Sequence, residues 1–418
     1  MKIKIYKFFL LLIIILISIF AGYENPNLVE TPKKYFYFIL KEMGIRDSFF
    51  NKKIDNIVSN KSNKEEKKIK KFIGNSFSLN LSKVKSYPGK SASLIMKLNG
   101  NKTEYVIFTR TGLLIKENTE SEINLPLFFY TNKDGGVKSV FLIDDEYFAL
   151  LSSKKLNCLY ASLISLKNRE EIIRSDCLPD KDGINFGGLG GAYVKMKKRI
   201  LLTIGVPTHI SEEIDKLAQT KNSIFGKILS IKNEELFDYE KKEIEYNIFS
   251  SGHKNPQGLV LFKDRIFSLE HGPQGGDELN EIIEGKNYGW PIASLGTRYN
   301  DGKSYFRSHI EHNFEEPIFT FSPAVAPSSL NICPNNLSKY YQNYSCLMGL
   351  SLRGMSILIF LLDKNKSKVI NVEKILLKKR LRHFGLDPSG KLFFDKENNF
   401  YITSDNDGLY KVYFDKFR

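Results

Sequence analysis

The feature that most constrains this chain is a series of strand–turn–strand units that begins after residue 75. In each unit a small or apolar strand leads into a short polar turn and then into a stronger apolar strand. Units that recur at this spacing predict an all-β chain folded as a six-bladed β-propeller, in which each sheet buries its faces against its neighbours. The six units are residues 93–111, 136–153, 188–205, 258–272, 330–350 and 384–404.

The composition agrees with a globular protein. Of 418 residues, 42% are hydrophobic and 26% are charged, which excludes collagen-like, coiled-coil and wholly disordered chains. The net charge of +15 raises the question of nucleic-acid binding. Lys is spread along the whole chain, however, and the one dense cluster, residues 52–71, carries no nucleic-acid-binding motif. We therefore expect no nucleic-acid partner.

The N-terminus has the pattern of an export signal. Lys2, Lys4 and Lys7 precede an uncharged apolar run at residues 8–21, which is too short for an ordinary membrane-spanning helix. The run is either a cleaved signal peptide or a retained anchor, because the cleavage site is poor. We expect residues 1–22 to be this segment, residues 23–74 a helical Lys-rich extension, and residues 75–418 the propeller. The protein should then be periplasmic or secreted, with possible N-terminal membrane anchoring.

Four cysteines fit an oxidising compartment. Cys158 and Cys177 flank two strand-like runs and could face each other across a hairpin. Cys333 and Cys346 form a second candidate pair. Four buried free thiols are nearly as good an interpretation, and no C-x-x-C spacing indicates a metal or redox site.

The segment from residue 251 to residue 301 carries the strongest chemical signal. It contains the blocks Gly-His-Lys-Asn-Pro-Gln-Gly, Glu-His-Gly-Pro-Gln-Gly-Gly-Asp-Glu and Asn-Tyr-Gly-Trp-Pro, with the only Trp of the chain. Glycines let backbone carbonyls converge, and carbonyls with carboxylates are the ligands that Ca²⁺ requires. Loops over one face of a propeller are also where ligands bind.

This segment resembles the signature of the glucose/sorbosone dehydrogenase family, whose members are six-bladed, pyrroloquinoline quinone (PQQ)-dependent aldose dehydrogenases of the bacterial periplasm. The resemblance covers about residues 90–418 and is most specific in the His-Gly-Pro and Asn-Tyr-Gly-Trp-Pro blocks. It implies PQQ and calcium as cofactors, a sugar as substrate and an external electron acceptor. It continues through residues 217–219, 226–229, 322–328, 350–354, 380–382 and 407–410.

The resemblance implies metal ligands at four positions. The carbonyls of Gly272 and Pro273 match those that hold the Ca²⁺ bridging to the quinone. Glu278 and Tyr288 match main-chain ligands of a second, structural Ca²⁺.

The resemblance also implies contacts to the quinone and substrate. His271 matches a polar residue that contacts the cofactor, and Asn255 matches an active-site Asn. Arg380 and Arg382 match arginines that face the carboxylates of PQQ. Clustered cations and a metal are what a tricarboxylate needs for binding.

At two positions this chain has a different basic residue from the one that its relatives have. Lys254 stands where the family usually has Arg, so it keeps the charge and loses the bidentate fork. Arg353 stands where some relatives have Lys. Both remain expected cofactor-binding residues.

The catalytic base is a more serious departure. The family uses a His that follows a Gly-Gly-rich strand, and we match that strand to residues 135–142, which places Ile143 at the position of the His. No His precedes His209. Asp144 is the nearest substitute base, although strand alternation points it away from the direction of Ile143.

Two functions follow from these patterns. The first is an exported PQQ-dependent sugar dehydrogenase that oxidises the C1 hydroxyl of aldoses to lactones. The second is a catalytically degenerate propeller that binds a carbohydrate or a protein partner. The missing His favours the second, and the retained metal and arginine positions favour the first.

Overall fold

The computed structural model describes residues 70–74, 77–181, 183–208, 213–241, 244–364 and 368–417, and all of them belong to one compact unit, Lys67–Arg418. Six antiparallel sheets follow one another along this part of the chain. Each of the six strand–turn–strand units predicted from the sequence falls on the first two strands of one sheet, except that longer connections separate the two strands in the last two units. The six-bladed propeller is therefore confirmed.

The first three blades occupy residues 91 to 251. Blade 1 contains β3 (Ser91–Asn99), β4 (Lys102–Thr109), β5 (Leu113–Ile115) and β6 (Glu120–Glu122). Blade 2 contains β7 (Val137–Ile143), β8 (Glu146–Lys155), β9 (Cys158–Ser165), β10 (Glu171–Arg174) and the short β11 (Leu178–Pro179). Blade 3 contains β12 (Gly190–Lys195), β13 (Arg199–Ile204), β14 (Lys227–Lys232) and β15 (Tyr246–Ser251).

The other three blades complete the ring. Blade 4 contains β16 (Asn255–Phe262), β17 (Arg265–His271), β18 (Asp277–Ile282) and β19 (Phe319–Phe321). Blade 5 contains β20 (Pro327–Ile332), β21 (Ser345–Ser351), β22 (Ser356–Leu362) and β23 (Val369–Leu376). Blade 6 contains β24 (Leu381–Phe384), β25 (Phe400–Ser404) and β26 (Gly408–Phe417), joined by β2 (Phe77–Lys85) and β1 (Lys70–Ile73).

Helices contribute little to the described residues. One short α-helix, α1 (Asn335–Tyr340), follows β20. Single 3₁₀ turns lie in the connections, at Phe186–Gly188, Ile214–Gln219, Glu234–Phe237 and Ile310–His312.

Blade 6 closes the ring by combining the two ends of the described chain. The early strand β2 pairs with the last strand, β26, and β1 adds an outer strand. The sequence assigned residues 70–73 to the extension, so the propeller begins slightly earlier than expected. The rest of the predicted extension and the predicted export signal lie outside the described residues.

The hydrophobic core lies between neighbouring blades. One cluster joins blades 2 and 3 through residues such as Phe141, Phe148 and Leu202, and another joins blades 5 and 6 through Met348 and Phe400. All five are essentially inaccessible to solvent. Burying a large apolar side chain contributes about 1.5–3 kcal/mol, so these interfaces hold adjacent sheets together face to face.

Both candidate cysteine pairs form disulfides. Cys158 is joined to Cys177 and Cys333 to Cys346, with Cα atoms 5.2 and 5.4 Å apart. The first bond links the start of β9 to the residue before β11, which pairs with β9. The second links the two ends of the α1 connection. The alternative of four free thiols is not observed.

Candidate functional site

The six inner strands, β3, β7, β12, β16, β20 and β24, surround a central cavity of about 190 Å³. Contacts between neighbouring blades form a ring at the starts of these strands. Asn255 Oδ1 accepts a hydrogen bond from Gly190 N at 3.0 Å, and Ser328 Oγ donates to Leu381 O at 2.7 Å. The inner strands begin at one end of the central cavity. We call this end, together with the loops that precede the inner strands, the mouth.

Three cations from three different blades lie at the mouth. Arg110, Lys138 and Arg382 all line the cavity. Burial, together with the charge of Arg382, lowers the pKa of Arg110 to about 9. Burial, together with the charges of Arg110 and Arg382, holds the pKa of Lys138 well below its usual range. The mutual repulsion of these side chains makes the mouth a site for an anionic ligand.

A glycine allows Arg110 and Lys138 to come together. Gly136 has a φ of +107°, and a Cβ at this position would lie 2.2 Å from the carbonyl oxygen of Arg110. The next residue, Val137, donates its N–H to that same carbonyl at 2.9 Å. Only glycine tolerates this combination of backbone conformation and close approach.

Of the two predicted arginines, the structure buries only one. Arg382 is 5% exposed and forms a two-point ion pair with Asp405 through Nε and Nη2. Its Nη1 takes no part in this ion pair. Arg380 is 54% exposed, and its Nε lies 3.9 Å from Asp405. Both arginines therefore approach the mouth from blade 6, with Arg380 at the rim.

His383, the residue after Arg382, also lines the cavity. Regular strand alternation would point two neighbouring side chains to opposite faces. The register of β24 with β25 shifts between Leu381 and Phe384, and this irregularity breaks the alternation.

Lys254, Asn255 and His271 stand together on blade 4. The Lys254 ammonium lies 5.4 Å from the ring of Trp290 and 5.7 Å from the ring of Tyr299, and burial lowers its pKa. His271 places Nε2 2.5 Å from the carbonyl of Pro327. Burial, with the charge of Lys254, lowers the pKa of His271 to about 3, so its ring is neutral.

Arg353 lies in the loop between β21 and β22 and is exposed. It is near enough to Tyr299 for its charge to affect the pKa of that phenol. The structure therefore brings Arg353 to the same side of the ring as Lys254, through Tyr299.

The Gly272–Pro273 turn has the chemistry of a Ca²⁺ cradle. Asp277 accepts hydrogen bonds from the N–H groups of Gly272, Val325 and Ala326, at 3.1, 2.7 and 2.7 Å. This carboxylate fixes the turn against the loop before β20. Among the described residues no group donates a hydrogen bond to the carbonyls of Gly272 or Pro273, which leaves both oxygens for a hard cation.

A second, smaller cavity of about 10 Å³ lies behind this turn. Glu270, Glu278 and Tyr288 border it, together with Lys254 and His271. Asn280 Nδ2 donates to both glutamates, at 2.7 and 3.2 Å. Burial and the neighbouring Glu270 raise the pKa of Glu278 well above its usual range. Two facing carboxylates around a cavity the size of one ion fit a divalent cation.

The ligands of this second site would not all be side chains. In the described part of the chain, no cluster of three or more His, Cys, Asp or Glu residues could hold a metal. Tyr288 uses its hydroxyl elsewhere, donating to Glu281 O at 2.6 Å. Tyr288 itself borders the cavity, and a role for its main-chain carbonyl as a metal ligand stays a prediction.

Asp144 and Ile143 do not join the other predicted residues. Ile143 is 1% exposed and packs in the core of blades 2 and 3. Asp144 occupies the β7–β8 turn with a φ of +43°. Ile143 is the last residue of β7 and Asp144 follows it, so both lie at the end opposite the mouth, about 20 Å from the start of β7 at 3.3 Å per residue. The structure therefore does not bring Ile143 or Asp144 to the mouth, where the other predicted residues lie.

Four mouth residues had no assigned role in the sequence: Arg110, Asp134, Lys138 and Asn185. Asp134 and Asn185 are hydrogen-bonded to each other, and the carbonyl of Asp134 accepts a hydrogen bond from Lys138 at 2.5 Å. A charged residue beside Gly-Gly at a predicted strand start was an available signal for Asp134 and Lys138. Arg110 and Asn185 carried no comparable signal.

These observations define a class of protein: a six-bladed propeller whose mouth gathers buried cations beside an oxygen-lined cation cradle. A family model, Glucose / Sorbosone dehydrogenase, matches residues 160–402. The chain belongs to the glucose/sorbosone dehydrogenase family.

Individual relatives match over shorter stretches. An uncharacterised protein of Synechocystis sp. is 30% identical over 193 residues, which is 44% of this chain and 46% of that protein. The aldose sugar dehydrogenase YliI of Escherichia coli is 32% identical over 151 residues, 35% of this chain and 40% of that protein. Each match spans less than half the length of the curated relative.

Solved structures agree on the fold. The apo form of the soluble aldose sugar dehydrogenase of Escherichia coli superposes with a TM-score of 0.61 at 20% identity, over 80% of this chain and 99% of that one. The PQQ-bound aldose sugar dehydrogenase of Streptomyces coelicolor gives a TM-score of 0.50 at 18% identity, over 81% of this chain and 98% of that one.

No helix among the described residues is long and apolar enough to cross a membrane.

Proposed function

We propose that this protein is a PQQ-dependent sugar dehydrogenase that acts outside the cytoplasm and oxidises the C1 hydroxyl of an aldose to a lactone. The observation that carries the proposal is that three cations from three blades, Arg110, Lys138 and Arg382, converge at the mouth, where the ion pair with Asp405 neutralises Arg382. A quinone with three carboxylates supplies the negative charge that this cluster lacks. An external acceptor would then take the electrons.

The residues present fit the cofactor and its metals. Arg382, Lys254 and Lys138 would hold the carboxylates, with Arg380 and Arg353 at the rim. The carbonyls of Gly272 and Pro273 would hold one Ca²⁺, and the cavity beside Glu278 and Tyr288 would hold the other. When bound, the quinone accepts a hydride from C1 of the sugar.

The protein's own groups orient the ligand and exclude water. Asn255 is 3% exposed and accepts hydrogen bonds from blade 3, so its amide is held rigidly at the mouth. Neutral His271 is fixed by Pro327 and places an uncharged ring among the cations. Both residues are proposed to position the quinone and the reacting hydroxyl.

Reconstitution tests this function. Purified protein is titrated with PQQ in the presence of Ca²⁺, binding is followed by absorbance, and sugar-dependent reduction of an artificial dye is then measured. We expect one PQQ per chain and dye reduction that requires sugar and Ca²⁺. Absence of PQQ binding would contradict the proposal. Tight binding without turnover for any aldose would favour the degenerate propeller that binds a carbohydrate or protein partner.

A further prediction concerns the acid singled out by the sequence. Asp144→Asn is expected to leave dye reduction within about twofold of wild type, because the carboxylate lies at the far end of β7 from the mouth. Steady-state kinetics with the reconstituted protein provide the measurement. A loss of tenfold or more in kcat would show that the mouth is not the reaction site.

A further inference from the structure

The acidic residues at the mouth differ sharply in exposure. Asp405, Asp277 and Glu270 are each less than 7% exposed, and their carboxylates are engaged by Arg382, by backbone N–H groups and by His253. The side chain of Asp134 is 47% exposed. Among the described residues at the mouth, Asp134 is thus the carboxylate that a ligand can reach without displacing a buried partner.

The position of Asp134 is fixed from several elements. Its Oδ2 accepts a hydrogen bond from Asn185 Nδ2 at 2.8 Å, and its Oδ1 lies 3.1 Å from Lys90 Nζ. Lys138 of β7 donates to its carbonyl, and Arg110 of the loop after β4 interacts with its charge. These neighbours hold the carboxylate beside two of the cations proposed to bind the quinone.

The backbone at this position is strained. Lys133 and Asp134 have φ values of +54° and +53°, so two consecutive non-glycine residues occupy the left-handed region. Such residues are destabilising and persist where the surrounding structure imposes them, often at functional sites. The strained turn lowers the stability of the fold, and it holds Asp134 at the mouth.

We propose that Asp134 is the proton acceptor of the reaction and that Asn185 is its positioning residue. The inference rests on the proposed dehydrogenase function. The O–H bond at C1 breaks and its proton moves to a carboxylate oxygen of Asp134, while the C1–H bond breaks and its electron pair leaves as hydride to the quinone oxidant. The remaining electron pair forms the C1=O bond of the lactone.

The acceptor's charge state gives a distinctive pH dependence. The hydrogen bond from Asn185 lowers the pKa of Asp134 to about 2, with Lys90 and Arg110 acting in the same direction and burial opposing them. A carboxylate acts as a base above its pKa, so kcat/KM should be lost only as the pH falls towards that value. An imidazole base would already be lost below about pH 6.5.

Asp134→Asn tests the acceptor. The reconstituted variant should bind PQQ at least as tightly as wild type, because a negative charge near the cation cluster is removed, while kcat falls by about 10²-fold, the lower end of the range for general-base catalysis. PQQ affinity is measured by absorbance titration and kcat by dye reduction. The control is Asp264→Asn, an exposed carboxylate in the β16–β17 turn, which should leave both quantities unchanged.

Asn185→Asp tests the positioning residue. The new side chain keeps the oxygen that accepts the Gly187 N–H at 2.6 Å, but it loses the amide donor and adds a negative charge beside Asp134. The pKa of Asp134 should therefore rise, and the acid limb of kcat/KM should move to higher pH. Melting temperatures confirm that both variants remain folded.

The possible failures are distinguishable. If wild-type protein does not bind PQQ or does not turn over sugar, the dehydrogenase function is overturned and this inference with it. If wild type turns over and Asp134→Asn retains kcat within threefold, only the assignment of Asp134 is overturned. An acid limb that stays in place in Asn185→Asp overturns the role of Asn185.

Discussion

Arg382→Ala is expected to lower the affinity for PQQ by about 10²-fold. Arg382 is buried at the mouth, and hydrogen bonds between charged groups contribute about 1.5–3 kcal/mol each, so the loss of its Nη1 contact to a carboxylate gives a large effect. The measurement is an absorbance titration of the Ca²⁺-loaded protein. Truncation also leaves Asp405 as a buried charge without its partner, which typically costs 3–5 kcal/mol of stability.

Arg380→Ala provides the matched control, because it removes the same charge two residues away. The Arg380 side chain is 54% exposed and reaches Asp405 only at 3.9 Å, so solvent screens it and the expected loss of affinity is threefold or less. Arg382→Lys keeps the charge and the partner for Asp405, which separates affinity from folding. Equal losses for Arg380→Ala and Arg382→Ala would contradict the burial argument.

Calcium is expected to stabilise the protein strongly, and Glu278→Gln should abolish part or all of that gain. At a free Ca²⁺ concentration 100 times Kd, binding to the folded state contributes about 2.7 kcal/mol. Without the metal, burial and the neighbouring Glu270 disfavour the charged form of Glu278. The variant replaces this carboxyl group with a neutral amide, so in chelator it should melt at or above the wild-type temperature, whereas in Ca²⁺ it should melt below it.

Glu281→Gln is the control for this calcium-dependent change in the order of the melting temperatures. Glu281 lies on the same strand, β18, but points to the outside, where it pairs with Arg265 at 2.6 Å. This variant should retain the full calcium-dependent rise in melting temperature. A full rise in Glu278→Gln would show that the side chain takes no part in binding the metal.

Local sequence signals were sufficient for the fold. The polar turn at residues 99–101, for example, separates β3 from β4, and the turn at 144–145 separates β7 from β8. Alternation of apolar residues and turn chemistry act over a few residues, so they can be read without knowing the tertiary structure. The Gly-Pro and Asn-Tyr-Gly-Trp-Pro blocks likewise indicated the family, because the residues of each block are neighbours in the chain.

The position of Asp144 shows what such local signals do not contain. Alternation along a strand indicates which face a side chain occupies, but not which end of the strand lies near a ligand. In this propeller the inner strands begin at the mouth, so Lys138 near the start of β7 lines the cavity and Asp144 after its end lies on the other side of the ring.

The sequence by itself therefore determined the six blades, the family and the oxygen-rich loop of blade 4, since each depends on residues that are neighbours in the chain. Only the tertiary structure decided which cations meet at the mouth and that Asp134 and Asn185 form a pair there. Arg110, Lys138 and Arg382 come from blades 1, 2 and 6. Their approach is imposed by the closure of the ring, against their mutual repulsion, and no local pattern encodes it.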